Sequence, residues 1–539
     1  MPPTAPNTAE PAGMPHTAQN TAPNADTRAR LAAALLGLAL GCLALGPALG
    51  PGFTLLQDMV FVPDPAFSRF TFGLAGGAAR VVPSDAVVTA LAQVLPAELV
   101  QKLILLAIFV LGCTGAALLL PSRSMGPRLV AGAFYVWNPY VAERLLMGQW
   151  ALLLGYAGLP WVVRAVWSGR RVAAAVLPAA VSGFAAMTVT AITALPVVAA
   201  RRRFAVRVVA VLVGFSLPWL VVTALRPRGI AGDPVGVDAF AARADTPFGA
   251  VGSLLSLGGI WNAHAVPTGY ETVAGAVARL VLTLVGAGFF LRGGLPYRRG
   301  LGVAAAVGVG VACVGVSEPG RQAFRGAVEV WGGFAVFRDA QQFVAPLALV
   351  VALGLGLLAE RVAHDRVWVG ALALVPVAVL PTLAWGAFGR LGAVPYPASW
   401  TAAREVIRAD RAPGDVLVLP FESYRQFAWN GGRAVLDPAQ RFFAVPGRRV
   451  VSNDVVRVGN LVVASEDPRA QAVERVLEGS SPDLPAAGFR YVLVDAGTAE
   501  ERQRFGGWLG RAKVLVDADD LRLYRFDGPV APVPAEQAR

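Results

Sequence analysis

The chain has 539 residues, of which 55% are hydrophobic and only 15% charged, with a net charge of +12. A soluble protein carries about a quarter charged residues, so lipid must solvate most of this one. The positive charge does not point to nucleic acid, because the arginines sit in short connections between apolar runs, the positive-inside pattern of a membrane protein. Cys42, Cys113 and Cys313 lie inside apolar runs, and His16, His264 and His364 are far apart, which excludes a disulfide framework and a His/Cys metal centre.

Residues 1–27, rich in Pro, Thr, Ala and Asn, read as a disordered cytoplasmic tail. Arg28 and Arg30 precede an apolar run at 31–49, read as an uncleaved first span rather than a signal peptide because of its length and its long leader. Further spans are expected near 103–120, 128–141, 150–167, 205–225, 275–291, 301–316, 344–359 and 367–388, with two short passes or a re-entrant hairpin in 172–200. The total is about eleven transmembrane helices over 28–394. Arg123/Arg128, Arg164/Arg170/Arg171, Arg201 to Arg203, Arg292/Arg298/Arg299 and Arg361/Arg366 fall on alternate connections if 172–200 crosses twice. That parity places the N-terminus in the cytoplasm and everything after 389 outside, in the plasma membrane of a multi-pass protein.

Three extracytoplasmic connections are long. In 51–102, Ser84-Asp85 reads as the N-cap of a short surface helix carrying Val88, Leu91 and Leu95. The connection 226–274 is rich in Gly, Pro and Asp, and 317–343 places Phe324, Val328 and Trp331 on one helical face. From about residue 395 the composition becomes that of a soluble domain, 395–539. Asp415 to Pro420 and Arg490 to Asp495 read as buried strands, Thr498 to Arg511 as a helix, and Lys513 to Val516 with Leu521 to Phe526 as a closing hairpin. The fold class is therefore a polytopic α-helical membrane protein with a C-terminal extracytoplasmic α/β domain.

Charged side chains at the membrane surface are the informative ones, because half-burying a charge is costly. Asp58 lies among Leu55, Leu56, Met59 and Val60, where desolvation would raise its pKa and suit it to act as a base, or it is an ordinary loop carboxylate. Asp64 follows between two prolines. In Trp137-Asn-Pro-Tyr-Val-Ala-Glu-Arg-Leu-Leu-Met-Gly-Gln-Trp150, Pro139 ends or kinks a helix, and Glu143, Arg144 and Gln149 follow where the chain emerges. Arg144 reads as a phosphate ligand or as an interfacial charge beside belt aromatics. In Phe337-Arg-Asp-Ala-Gln-Gln-Phe343, Arg338 reads as a phosphate clamp oriented by Asp339, or as a snorkelling Arg beside a helix-start Asp. Asp437, Asp454 and Asp495, near strand ends, read as structural.

Asp58 to Pro65, Asn138 to Gln149, Phe337 to Phe343 and Val416 to Phe421, together with the many spans and the outer C-terminal domain, resemble the GT-C superfamily of membrane glycosyltransferases. Within it the chain is most similar to actinobacterial proteins related to the arabinofuranosyltransferases. The resemblance implies a polyprenyl-phosphate sugar donor, a cell-envelope glycan or protein acceptor, and a first-loop carboxylate as base, by position Asp58 with Asp64 as second choice. Departing from the family, no adjacent Asp-Asp or Glu-Asp pair follows the first span, so a divalent metal is not supported by a paired-carboxylate motif and an inactive relative stays open. Two other classes stand beside it, a lipid-linked glycan transporter or flippase and a non-catalytic envelope-assembly protein. The expected partners are the lipid bilayer, the lipid-phosphate donor and the glycan acceptor.

Overall fold

A computed structural model describes residues 25–76, 82–225, 232–495 and 498–532, so the expected N-terminal tail lies outside the described residues up to residue 24. Among the described residues, six helices are long and apolar enough to cross a membrane: Asp26–Leu49, Ala97–Leu119, Trp150–Ser168, Arg202–Ala224, Val273–Arg292 and Ala340–Arg361. Two bent pairs, Arg298–Val314 with Glu318–Val330 and Arg366–Val379 with Pro381–Gly389, bring the number to eight if each is one span. The remaining expected spans are shorter helices, Met125–Val136, Val172–Ser182 and Phe184–Ala199. Local chemistry explains their lengths. Pro139 has no amide hydrogen to continue the helix before it, and Gly183, at φ +93, separates the 172–182 and 184–199 helices.

The helices face two environments. Leu31, Leu35 and Leu38, Val206, Val213, Leu217 and Leu220, and Val273, Val277, Val281 and Leu284 are exposed at helical spacing, forming an apolar surface that only lipid suits. Ala345–Arg361, by contrast, is buried almost throughout and runs through the middle of the bundle. Contacts between connections gather at two ends. At one end Arg128 donates to Asp26 (2.8 Å), Arg207 to the Gly169 carbonyl (3.1 Å), Tyr297 to the Leu119 carbonyl (2.6 Å) and Ser122 to Glu360 (2.8 Å).

The opposite end carries the C-terminal region. Its five-stranded sheet runs in the order Lys513–Asp517, Arg522–Arg525, Phe489–Val494, Asp415–Leu419, Val450–Val451. The last three are mutually parallel and the first two antiparallel. The expected strands, the Ala499–Leu509 helix and the closing hairpin are all present. The run Phe489–Val494 is buried on both faces, and apolar apart from Arg490, because both are covered, with Val492 and Val494 packed on Phe505 and Leu509. Two hairpins were not legible in the sequence, Tyr424–Gln426 with Ala434–Leu436 and Val456–Val458 with Leu461–Val463.

The first long connection joins the two regions. Phe53–Thr54 pairs antiparallel with Ala393–Val394, and the buried Gln101 amide closes on both backbone groups of Thr54 (2.9 and 2.8 Å). Gly52 (φ +92) is required there, since a Cβ would lie 2.4 Å from the Val394 carbonyl. The expected surface helix is Ser84–Ala92, but no side chain caps it. Asp85 instead accepts from Arg441 of the C-terminal domain at 2.8 Å, which corrects its reading as a cap. On the third connection, Val328 is buried, but Trp331 is exposed because the helix ends at Val330.

Candidate active site

The loop carrying Asp58 is held in place from several directions. Gln57, at φ +47, bridges the C-terminal domain through its backbone: its amide donates to the Ala434 carbonyl (2.7 Å) and its carbonyl accepts from Leu436 (2.8 Å). The Asp58 amide donates to the Met147 carbonyl at 3.1 Å, and its carboxylate accepts from the Tyr424 hydroxyl at 2.5 Å. Gly148 (φ +77) lets the turn after Met147 approach this closely, because a Cβ there would sit 2.3 Å from the Met59 nitrogen. Downstream, Tyr396 donates to the Phe61 carbonyl (2.9 Å), and Arg404 reaches the Pro63 carbonyl (2.9 Å) and Asp64 (3.3 Å). The Asp64 side chain is 84% exposed, on the rim.

Helix Pro139–Leu146 supplies the cation. Pro139 opens this helix as well as stopping the one before it, and the Asn138 side chain caps it by accepting from Val141 (3.1 Å). The Asn138 amide also satisfies the last carbonyls of the preceding helix, Phe134 and Tyr135, each at 2.9 Å. The end of this helix lies against the Asp58 loop through Met147, with Arg144 2% exposed. Arg144 donates to Gln149 (2.8 Å) and lies 3.4 Å from both oxygens of Asp339, which also accepts from Gln149 at 3.4 Å. Arg144, Gln149 and Asp339 are thus brought together from two distant segments. Arg338 is directed elsewhere: it pairs with Glu466 of the C-terminal domain at 3.3 Å and lies 4.9 Å over the Phe240 ring. Asp339 orients Arg144, not its neighbour Arg338 as the sequence suggested.

Glu143 faces away from this group. It accepts from the Ile260 amide at 3.2 Å, and its other oxygen converges with Asp245 and the Tyr270 hydroxyl around Gly258. Burial, then the adjacent Asp245 carboxylate, pushes the Glu143 carboxyl well above the usual carboxylate range. Arg279, 4% exposed in helix Val273–Arg292, packs on the Tyr270 ring at 3.7 Å and donates to its carbonyl. Asp245, Tyr270, Arg279 and Tyr424 were not singled out from the sequence. Arg279 was recoverable, as a lone charge inside an apolar run; nothing local marked the others.

In the C-terminal domain, buried Arg425 lies 2.6 Å from Asp495, whose carboxyl burial pushes up to about 7, with Asp437 close by. Among the described residues, no group of three or more His, Cys, Asp or Glu side chains is placed to hold a metal ion.

A multi-span bundle with its long connections gathered at one end beneath an α/β domain is the architecture that the GT-C resemblance implied. The same fold is seen in the cryo-EM structure of the arabinofuranosyltransferase AftD from mycobacteria, with a TM-score of 0.59 and 16% identity, over 93% of this chain and 40% of that one. This chain therefore spans well under half the length of that protein, and the likeness is one of fold. An oligosaccharyltransferase from Archaeoglobus fulgidus, solved with zinc and sulfate, aligns over 89% of this chain and 70% of its own at 12% identity, with a TM-score of 0.38, a level at which a shared fold does not follow. No protein-family model and no curated protein sequence matches the chain.

Proposed function

We propose that this chain is a membrane glycosyltransferase that moves a sugar from a polyprenyl-phosphate donor to a cell-envelope acceptor on the outer face. The observation that supports it most is the joining of the Asp58 loop to the Arg144 turn, through the Asp58–Met147 hydrogen bond, at the bundle end covered by the α/β domain. A carboxylate and a buried guanidinium held on adjoining backbone are the two groups that inverting transfer from a lipid phosphate requires. Asp58 takes the acceptor hydroxyl proton as that oxygen attacks the anomeric carbon. The bond from that carbon to the phosphate oxygen breaks, and the lipid phosphate leaves with its charge met by Arg144.

The Arg144–Asp339 contacts, both 3.4 Å, are long for charge-assisted bonds, which run about 2.7–2.9 Å. Arg144 can thus turn to a phosphate while Gln149 keeps hold of it. Arg338 serves as a second cation once Glu466 yields it, and Asp64, on the rim, stands as second choice for the base. The domain from 395 onward closes over this group. The outer-face assignment is supported by the Arg-rich connections gathering at the end opposite the domain. With Met125–Val136, Val172–Ser182 and Phe184–Ala199 each counted as a crossing, eleven crossings put the two termini on opposite sides.

Purified protein in lipid nanodiscs, given a labelled polyprenyl-phosphate sugar and envelope glycan fragments, should transfer label. Donor binding without transfer to any acceptor would favour the assembly-protein reading instead. A reporter active only in the cytoplasm, fused after Arg539, should stay silent.

A further inference from the structure

Tyr424 belongs to the soluble domain, 366 positions along the chain from Asp58, yet its hydroxyl donates to the Asp58 carboxylate at 2.5 Å. The contact is built into the backbone on both sides. Tyr424 begins the strand Tyr424–Gln426, whose partner Ala434–Leu436 is the strand that bridges Gln57. The register pairs Tyr424 with Leu436, the residue whose amide donates to the Gln57 carbonyl. The phenol and the carboxylate are thus delivered by adjacent rungs of one hydrogen-bonded ribbon. The Asn430 amide, from the hairpin's own loop, adds a bond to the Leu55 carbonyl at 3.2 Å. The next residue, Arg425, is anchored inside the α/β domain against Asp495, which fixes the strand from behind.

We propose that Tyr424 is a positioning residue for Asp58, so that the C-terminal domain completes the active site rather than merely covering it. This rests on the reading of Asp58 as the base. A phenol O–H donated to a carboxylate does two things. It holds one rotamer of the carboxylate, and it favours the ionised form, keeping the base ready at lower pH. Among the described residues, the groups packed against Asp58 from other elements include the Met147 and Gly148 backbone and Tyr424, with the Gln57 amide beside it in its own loop. The structure thereby assigns the hairpin 424–436 a part in the chemistry that its sequence does not advertise.

The test uses full-length protein and the pH dependence of kcat/KM for sugar transfer. Tyr424→Phe should lower kcat/KM about tenfold to a hundredfold and move the acid limb up by about one pH unit, with the thermal midpoint little changed. Tyr424 replaced by a fluorotyrosine, a stronger hydrogen-bond donor of nearly the same shape, should move the limb the other way. In an Asp58→Asn background, Tyr424→Phe should cost nothing further. If Asp58→Asn is inactive but neither Tyr424 variant moves the acid limb, the inference is overturned while the proposed function stands. If Asp58→Asn turns over normally, Asp58 is not the base and the inference falls with that assignment.

Discussion

The bundle and the C-terminal domain treat apolar side chains in opposite ways. On the helix Ala205–Ala224, Val213, Leu217 and Leu220 are exposed, while in the sheet Leu417, Val492 and Val494 are buried. Exposure costs nothing where the surroundings are hydrocarbon and a great deal where they are water. Charge follows the same division. It is sparse within the spans and dense where the two regions meet, at Arg404–Asp64, Arg441–Asp85, Arg338–Glu466 and Tyr424–Asp58. The lesson is that the candidate chemistry belongs to neither region but to the seam between them.

The strongest way to test that seam is at its carboxylate. Asp58→Asn should cut sugar transfer by about a hundredfold to ten-thousandfold, as expected for loss of a general base. Thermal midpoint and membrane insertion should be preserved, because the amide keeps the shape and can still bond to Tyr424. Normal turnover would move the base to Asp64.

The contrast of environments predicts a difference between two similarly exposed apolar residues. Leu217→Asp, at a site 49% exposed on the bundle, should destabilise membrane insertion by about 2.5–3.5 kcal/mol. Val462→Asp, 45% exposed on the C-terminal domain, should stay within about 0.5 kcal/mol. Equal effects in an insertion and melting assay would break the comparison. Next in size is Gly148→Ala. Its positive φ and the 2.3 Å approach to the Met59 nitrogen predict a loss of about 1–3 kcal/mol, with turnover falling too because the Asp58 loop must shift.

An effect of similar size separates the domain from the bundle by pH. Burial pushes the Asp454 carboxyl from its ordinary 3.8 up to about 6. The folded domain therefore holds this proton more tightly than the unfolded chain. The stability it contributes is present below about pH 4 and is lost as pH rises through about 6. Asp454→Asn should flatten this part of the stability profile, with a gain over wild type at pH 7 of about 2–3 kcal/mol at most. An unchanged slope between pH 4 and 7 would reject it. Smallest in turnover is Asp85→Asn, which removes the charge from a largely buried pair with Arg441 but keeps an oxygen that can accept its hydrogen bond, and should leave turnover unaltered.

The sequence by itself determined the membrane class, the places where Arg-rich turns alternate with long loops, and the strands at 415–419 and 489–494, because apolar periodicity and charge are local signals. It also marked Asp58, Arg144, Gln149 and Asp339, since a charged or polar group beside a membrane surface stands out in composition alone. What it could not determine was which of these groups touch. Arg338 and Asp339 are neighbours in the chain, yet one turns to Glu466 and the other to Arg144. Asn138–Pro139 and Gly183 explained the short helices only once helix ends were visible. Tyr424 and the hairpin that carries it lay in an unremarkable stretch of three-residue strands. Their meaning comes from a hydrogen bond spanning 366 positions, and only tertiary structure decides such a contact, because side-chain chemistry sets what can bond while chain closure sets what is near.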